Sequence, residues 1–144
     1  MSNDGASSTY DVCLHHVTGL IYALQMCSHL ARNSEVYFEP LRAVFTPDRL
    51  GSMLLQLNSS IRAKTCNLIG NLCRHSSSWY SVLLQPVHLS PPARKSSGDL
   101  SSREESRESD FGTLLSVLIH CCSDADDSTR KFACFAGACS KYLP

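Results

Sequence analysis

The chain is 144 residues long, enough for one domain or a piece of a larger protein, and its 43% apolar content supports a buried core rather than disorder throughout. Its 13 basic and 13 acidic residues cancel, so it lacks the basic surplus with which proteins neutralise nucleic-acid phosphates, and no local basic patch replaces it. Charged residues are only 18%, below the usual quarter, which predicts faces covered by something else.

Residues 1–8 are small and polar and read as a frayed tail, without the basic start of a secretory signal. From Tyr10 a helical period sets in, with Val12, His16, Leu20, Ala23, Leu24 and Cys27 at three- and four-residue steps, Asp11 as cap or first-turn acid, and Asn33-Ser34 as the stop. This is the most apolar stretch of the chain. His15, His16, Gln25, Ser28 and His29 interrupt it, and a bilayer would penalise them, so no membrane span is expected. Eight cysteines without a signal predict a reducing, cytoplasmic compartment.

A second helical stretch runs from about Glu35 to Phe45, short or kinked because Pro40 lies inside it. Thr46-Pro47-Asp48 starts the next helix, with Thr46 as cap and Pro47 in the first position, where its missing N–H costs nothing. Asn58-Ser59-Ser60 is another cap cluster. Behind it, Ile61, Thr65, Leu68, Ile69 and Leu72 form the clearest stripe in the chain, with Arg62, Lys64, Asn67 and Arg74 projecting away from it. Ser76-Ser77-Ser78 breaks this helix, and a short one over Trp79–Leu84 is closed by Pro86. Residues 86–109 are rich in serine, proline and interleaved charge and poor in apolar groups, so they are predicted to be a flexible loop. Helical pattern resumes over 110–139, with Asp110 as cap, Leu114, Leu115, Val117, Leu118 and Cys121 behind it, a turn over Ser123–Asp127, and a last helix from near Ser128.

The expected fold is therefore all-α, with helices over 9–85 and 110–139 and a divergent tail at 140–144. An internal repeat refines this. Ser60-Ile61-Arg62-Ala63-Lys64-Thr65-Cys66 parallels Ser128-Thr129-Arg130-Lys131-Phe132-Ala133-Cys134 at an offset of 68 residues. Removing the loop of about 25 residues leaves about 43, the length of an armadillo or HEAT unit. The expectation is an armadillo/HEAT-like helical-repeat (α-solenoid) fragment, in which helical pairs stack to bury faces that none can bury alone. Gly70 and Gly137 are expected to allow close helix packing. Gly137 sits one residue nearer its repeat cysteine than Gly70 does, so the segments beyond them need not pack alike.

The runs from Ile61 to His75 and from Ser128 to Ala136 resemble the C-terminal armadillo-type region of Fused-type serine/threonine kinases. The resemblance is concentrated in residues 59–85 and 110–136. It implies a scaffold in Hedgehog signalling or cilium assembly, cilium- or cytoskeleton-associated, with kinesin-like or Hedgehog-pathway proteins as partners. The family's N-terminal kinase domain is absent from this sequence. The alternative is thus a fragment of such a kinase without autonomous function, the activity residing in a missing domain.

Chemistry-bearing motifs are few. Asp110-Phe111-Gly112 spells the magnesium motif of kinases, but the H-R-D loop, strand lysine and Gly-rich loop that the motif requires are missing, and an Asp that caps a helix explains it. The cysteines show no C-x2-C spacing, so packing thiols are expected, with a disulfide as the lesser reading. His15-His16 lacks a Cys or carboxylate at helical spacing for a metal. No catalytic residue, cofactor or metal site is expected, and the chain is read as non-enzymatic. Candidate partner-binding residues are Arg62, Arg74, Trp79, Tyr80 and Arg130, with a core position the equal reading for Trp79. Arg62 and Arg130 hold equivalent repeat positions, where an arginine that bonds a neighbouring helix end is the favoured reading. Ser96, Ser97 and Ser106 sit in basic-directed contexts and are candidate phosphorylation sites.

Overall fold

The structure, a computed structural model, describes residues 4–89 and 112–139, with side chains from residue 13. Among these residues it is all-α. The helices are α1 (Asp4–Asn33), α2 (Phe38–Val44), α3 (Pro47–Leu54), α4 (Ser59–His75), α5 (Ser78–Leu83), α6 (Leu114–Cys121) and α7 (Asp127–Cys139), with a 3-10 turn at Glu35–Tyr37. Helix α1 starts at Asp4, upstream of Tyr10, and its 30 residues span about 45 Å at the usual rise.

Local chemistry sets most of the boundaries. Ser34 accepts a hydrogen bond from the Val36 N–H and opens the 3-10 turn. Pro40 lies in the first turn of α2, where backbone N–H groups have no intrahelical acceptor, so the short helix absorbs it. Thr46 caps α3 through the Arg49 N–H with Pro47 following, and Asn58 caps α4 through the Ile61 N–H. Helix α6 begins later than the sequence pattern suggests. Its cap is Thr113, which accepts from the Ser116 N–H, and not Asp110, which lies outside the described residues.

Helix α4 is the centre of the molecule. Ten of its residues are buried, the predicted stripe among them, together with Ala63, Cys66, Gly70, Asn71 and Cys73. A helix buried on so many sides must pack against several neighbours. It meets α1, α3 and α7, while α3 meets α6 and α6 meets α7. Thus α3–α4 and α6–α7 are two helical hairpins placed side by side, first helix on first helix and second on second.

Helix α1 buries a different seam from the expected one. Leu24, Ser28 and Ala31 are buried, with Val17, Ile21 and Cys27 packed at the edge of the core. His16 and Ala23 are exposed, as is Leu20 at 37%. The 17-21-24-28-31 spacing is that of a seam between two helices. A polar contact fixes its register: Ser28 Oγ accepts from Asn71 Nδ2 at 2.7 Å and from Asn67 Nδ2 at 3.2 Å.

Residues 86–89, expected to belong to the flexible loop, are laid down on α3. Pro86 and Thr113 form a β-bridge, the Val87 N–H donates to the Gly112 carbonyl, and the Leu114 N–H donates to the Gln85 carbonyl. Val87 and Leu89 lie against Gly51, where a Cβ would meet the Leu89 methyl at 3.2 Å. Gly112 adopts φ +66°, the left-handed region that glycine enters without a Cβ penalty.

Candidate interaction surface

The equivalence read from the sequence at Arg62 and Arg130 is present in three dimensions. Arg62 Nη1 donates to the carbonyls of Gln56 and Leu57, both at 2.8 Å. Arg130 Nη1 donates to those of Asp124 and Ala125, at 2.6 and 3.0 Å. The caps correspond as well: Asn58 serves α4, and Asp126 accepts from the Thr129 N–H at the start of α7. Each arginine therefore folds back to hold the turn that precedes its own helix.

The two turns are also tied together. Arg62 Nε and Nη2 grip both carboxylate oxygens of Asp124 at 2.8 Å, and both side chains are largely covered. This fork-on-carboxylate geometry is the strongest form of such a pair. The guanidinium hydrogen bond draws the Asp124 carboxyl below its ordinary range, and the carboxylate pushes Arg62 up. Arg130 pairs with Asp127 one turn back in sequence, where both groups are well exposed. Arg62 is thus committed to structure, while Arg130 holds its own turn with its guanidinium still exposed.

Of the other candidate partner residues, Trp79 is 1% exposed and belongs to the core, and Tyr80 is buried beside it at 9%. This fold gives a partner no access to the indole, whose N–H finds no acceptor among the described residues. Arg74 is exposed in the last turn of α4 and stays open to contact. Ser96, Ser97 and Ser106 lie outside the described residues, as do Asp110 and Phe111 of the kinase-like triplet. Gly70 makes the close approach expected of it, since a Cβ there would sit 2.5 Å from the Phe135 ring. Gly137 does not: a Cβ added there would meet nothing within 4 Å. The one-residue slip between the two similar sequence runs matches this difference.

The surface feature the sequence did not flag is an apolar groove between α1 and the α2–α3 corner, about 440 Å³ in volume. Leu20, Val44, Phe45 and Met53 line it, with Asp48, Arg49 and Ser52 at its edge. The edge charges are already engaged. Arg49 Nη1 donates to the Val44 carbonyl at 2.8 Å, and Asp48 accepts from the His88 N–H at 2.7 Å. Val44 is 51% exposed and Leu14, Tyr22 and Met26 on α1 are each more than 60% exposed. The available sequence signal was Val44-Phe45 at a helix break followed by Pro47: such a corner cannot turn both apolar side chains inward.

The thiols gather at the α4–α6–α7 corner. Cys121 Sγ reaches the Leu54 carbonyl at 3.7 Å, and Cys122 Sγ reaches the Leu118 carbonyl one turn back at 3.8 Å. The neighbouring Cys121 thiol, with burial added, pushes the Cys66 thiol up. Burial, with Cys139 nearby, raises Cys73 to about 12. Among the described residues no three His, Cys, Asp or Glu side chains are arranged to hold a metal ion, and no helix is long and apolar enough to cross a membrane.

Comparison with protein-family models, with curated proteins and with solved structures finds no match.

Proposed function

We propose that the chain is a non-catalytic protein-binding module of the armadillo/HEAT-like repeat kind, and that the groove between α1 and the α2–α3 corner takes the apolar face of a partner helix. The observation that carries this reading is the groove itself, with Leu20 and Val44 left in contact with water beside buried Phe45. Exposed apolar surface gathered in a concave site is what an amphipathic helix covers. The side-by-side hairpins support the repeat reading, because each hairpin leaves a face that the next one covers. The resemblance to the repeat region of Fused-type kinases adds the class of partner: kinesin-like or Hedgehog-pathway proteins at a cilium or the cytoskeleton.

The test is calorimetric titration of the purified, reduced chain with the non-motor segments of kinesin-like proteins, alongside Val44→Asp and Met53→Asp variants. Saturable binding that weakens at least tenfold in both variants, with their circular dichroism unchanged, is the expected result. Binding indifferent to the groove variants removes the groove. No binding to any kinesin-like or Hedgehog-pathway segment removes the partner class.

A further inference from the structure

The side of α1 turned away from its seam with α4 is apolar and uncharged, and the groove reading does not use it. His15, Gly19, Tyr22 and Met26 recur there at steps of four, three and four residues, half a turn around the helix from Val17, Ile21, Leu24 and Ser28. All four are exposed, Tyr22 at 68% and Met26 at 61%. From Val12 to Ala31 the chain carries no Asp, Glu, Lys or Arg. A solvated helix face ordinarily carries charge, and large apolar side chains grouped in one exposed row mark a surface that another molecule covers. Gly19 is an independent observation. It lies inside the helix, where glycine is disfavoured, and a Cβ added there would meet nothing within 4 Å, so no contact within the described chain calls for it.

We propose that this face pairs with the same face of a second copy of the chain, the two α1 helices running antiparallel about a two-fold axis. The row is self-complementary. Read in reverse it has the same four-three-four spacing. A two-fold axis midway between Gly19 and Tyr22 therefore sets Tyr22 over Gly19 of the partner subunit, and Met26 over His15 of the partner subunit. Large is placed against small at the centre, and one patch serves both copies. The missing side chain at Gly19 is the room that the tyrosine ring needs.

Charge selects the same occupant. A face without ionised groups offers nothing to the charged residues of an unlike helix and no repulsion to its own copy, and a formal net charge of zero removes the long-range repulsion between like chains. Area sets the strength. A helix face about 10 Å wide along the 30 residues of α1 covers roughly 450 Å² on each copy, about 900 Å² in all, under the roughly 1,200 Å² at which standard complexes begin. The dimer is accordingly weak and reversible, populated at tens of micromolar and above.

The experiment is sedimentation velocity of the full chain from low-micromolar to millimolar concentration, under reducing conditions so that no disulfide at the exposed Cys13 substitutes for packing. The expected result is a monomer that passes into a dimer as concentration rises. Tyr22→Lys with Met26→Lys, which sets like charges against each other in both halves of the interface, weakens the dimer at least tenfold while circular dichroism stays that of the wild type. Gly19→Leu weakens it comparably, although that side chain meets nothing within one chain. Val44→Asp, in the groove, leaves dimerisation unchanged, which separates this face from the groove reading. A monomer at every concentration overturns the proposal, as does a dimer indifferent to the Tyr22 and Met26 changes. A dimer lost in Val44→Asp moves the interface to the groove and overturns it as well. A dimer unaffected by Gly19→Leu overturns the antiparallel register.

Discussion

Arg62 and Arg130 stand 68 residues apart and make the same pair of contacts, each donating one guanidinium nitrogen to the carbonyls five and six residues before it. Only Arg62 goes further, reaching into the other hairpin to grip Asp124. The difference predicts unequal costs. Arg62→Ala strands a largely covered carboxylate and frees two carbonyls, and is expected to cost about 2–4 kcal/mol, whereas Arg130→Ala costs about 1 kcal/mol because its ion pair is exposed. Urea unfolding of the two variants tests the ranking. Arg62→Lys should recover little of the loss, since an ammonium does not reproduce the fork.

The same pair predicts the acid response. Arg62 lowers the Asp124 carboxyl in the folded chain, and the Thr129 backbone N–H lowers Asp126. A carboxyl with a depressed folded pKa contributes stability that is complete above its unfolded value of about 3.9 and is lost as pH falls through the folded value. Stability of the wild-type chain should therefore decline from about pH 5 downward. Asp124→Asn should be less stable at neutral pH and show a shallower acid decline; equal slopes between pH 5 and 2 would remove Asp124 from the account.

Gly70 and Gly137 should respond to substitution with opposite signs. Gly70→Ala places a methyl 2.5 Å from the Phe135 ring and 3.3 Å from the Ala136 backbone, so the gain of about 1 kcal/mol in helix propensity is outweighed by about 1–3 kcal/mol of overpacking. Gly137→Ala meets nothing and should stabilise by up to about 1 kcal/mol. Thermal unfolding of both variants checks the contrast. Phe135→Ala introduced with Gly70→Ala should relieve the clash, leaving only the cost of Phe135→Ala itself.

The polar contact between α1 and α4 invites a double-mutant cycle. Ser28→Ala leaves the buried Asn71 amide with a single long bond to Asn67 at 3.4 Å and should cost about 1–2 kcal/mol. Ser28→Ala combined with Asn71→Leu removes both partners and should be closer to wild type than the sum of the single changes, measured by denaturant unfolding. An additive pair would mean that the contact does not set the register of α1.

These residues also mark what the sequence disclosed. Helix ends were legible at Thr46-Pro47 and Asn58 because capping is decided within four residues. The stripe of α4 was legible because that helix is flanked by clear breaks and its polar residues are spaced regularly. The seam of α1 was not: the segment from Val12 to Leu30 carries apolar residues on several faces, and the face that is buried depends on Asn67 and Asn71 more than 30 residues away. Trp79 was ambiguous for a similar reason, since residue type does not say which side of a six-residue helix faces the core. The groove is assembled from separate elements, and no local period announces it.

The bridge between Pro86 and Thr113 has one more implication. It clamps the two ends of the intervening segment beside each other, so the cost of closing that segment is set at the clamp and grows only slowly with the length beyond it. Residues 90–111 can accordingly be shortened, lengthened or exchanged for a folded insert while the hairpins keep their spacing. The clamp makes this a cassette position, where new sequence can be added to the protein without asking the stacked helices to readjust.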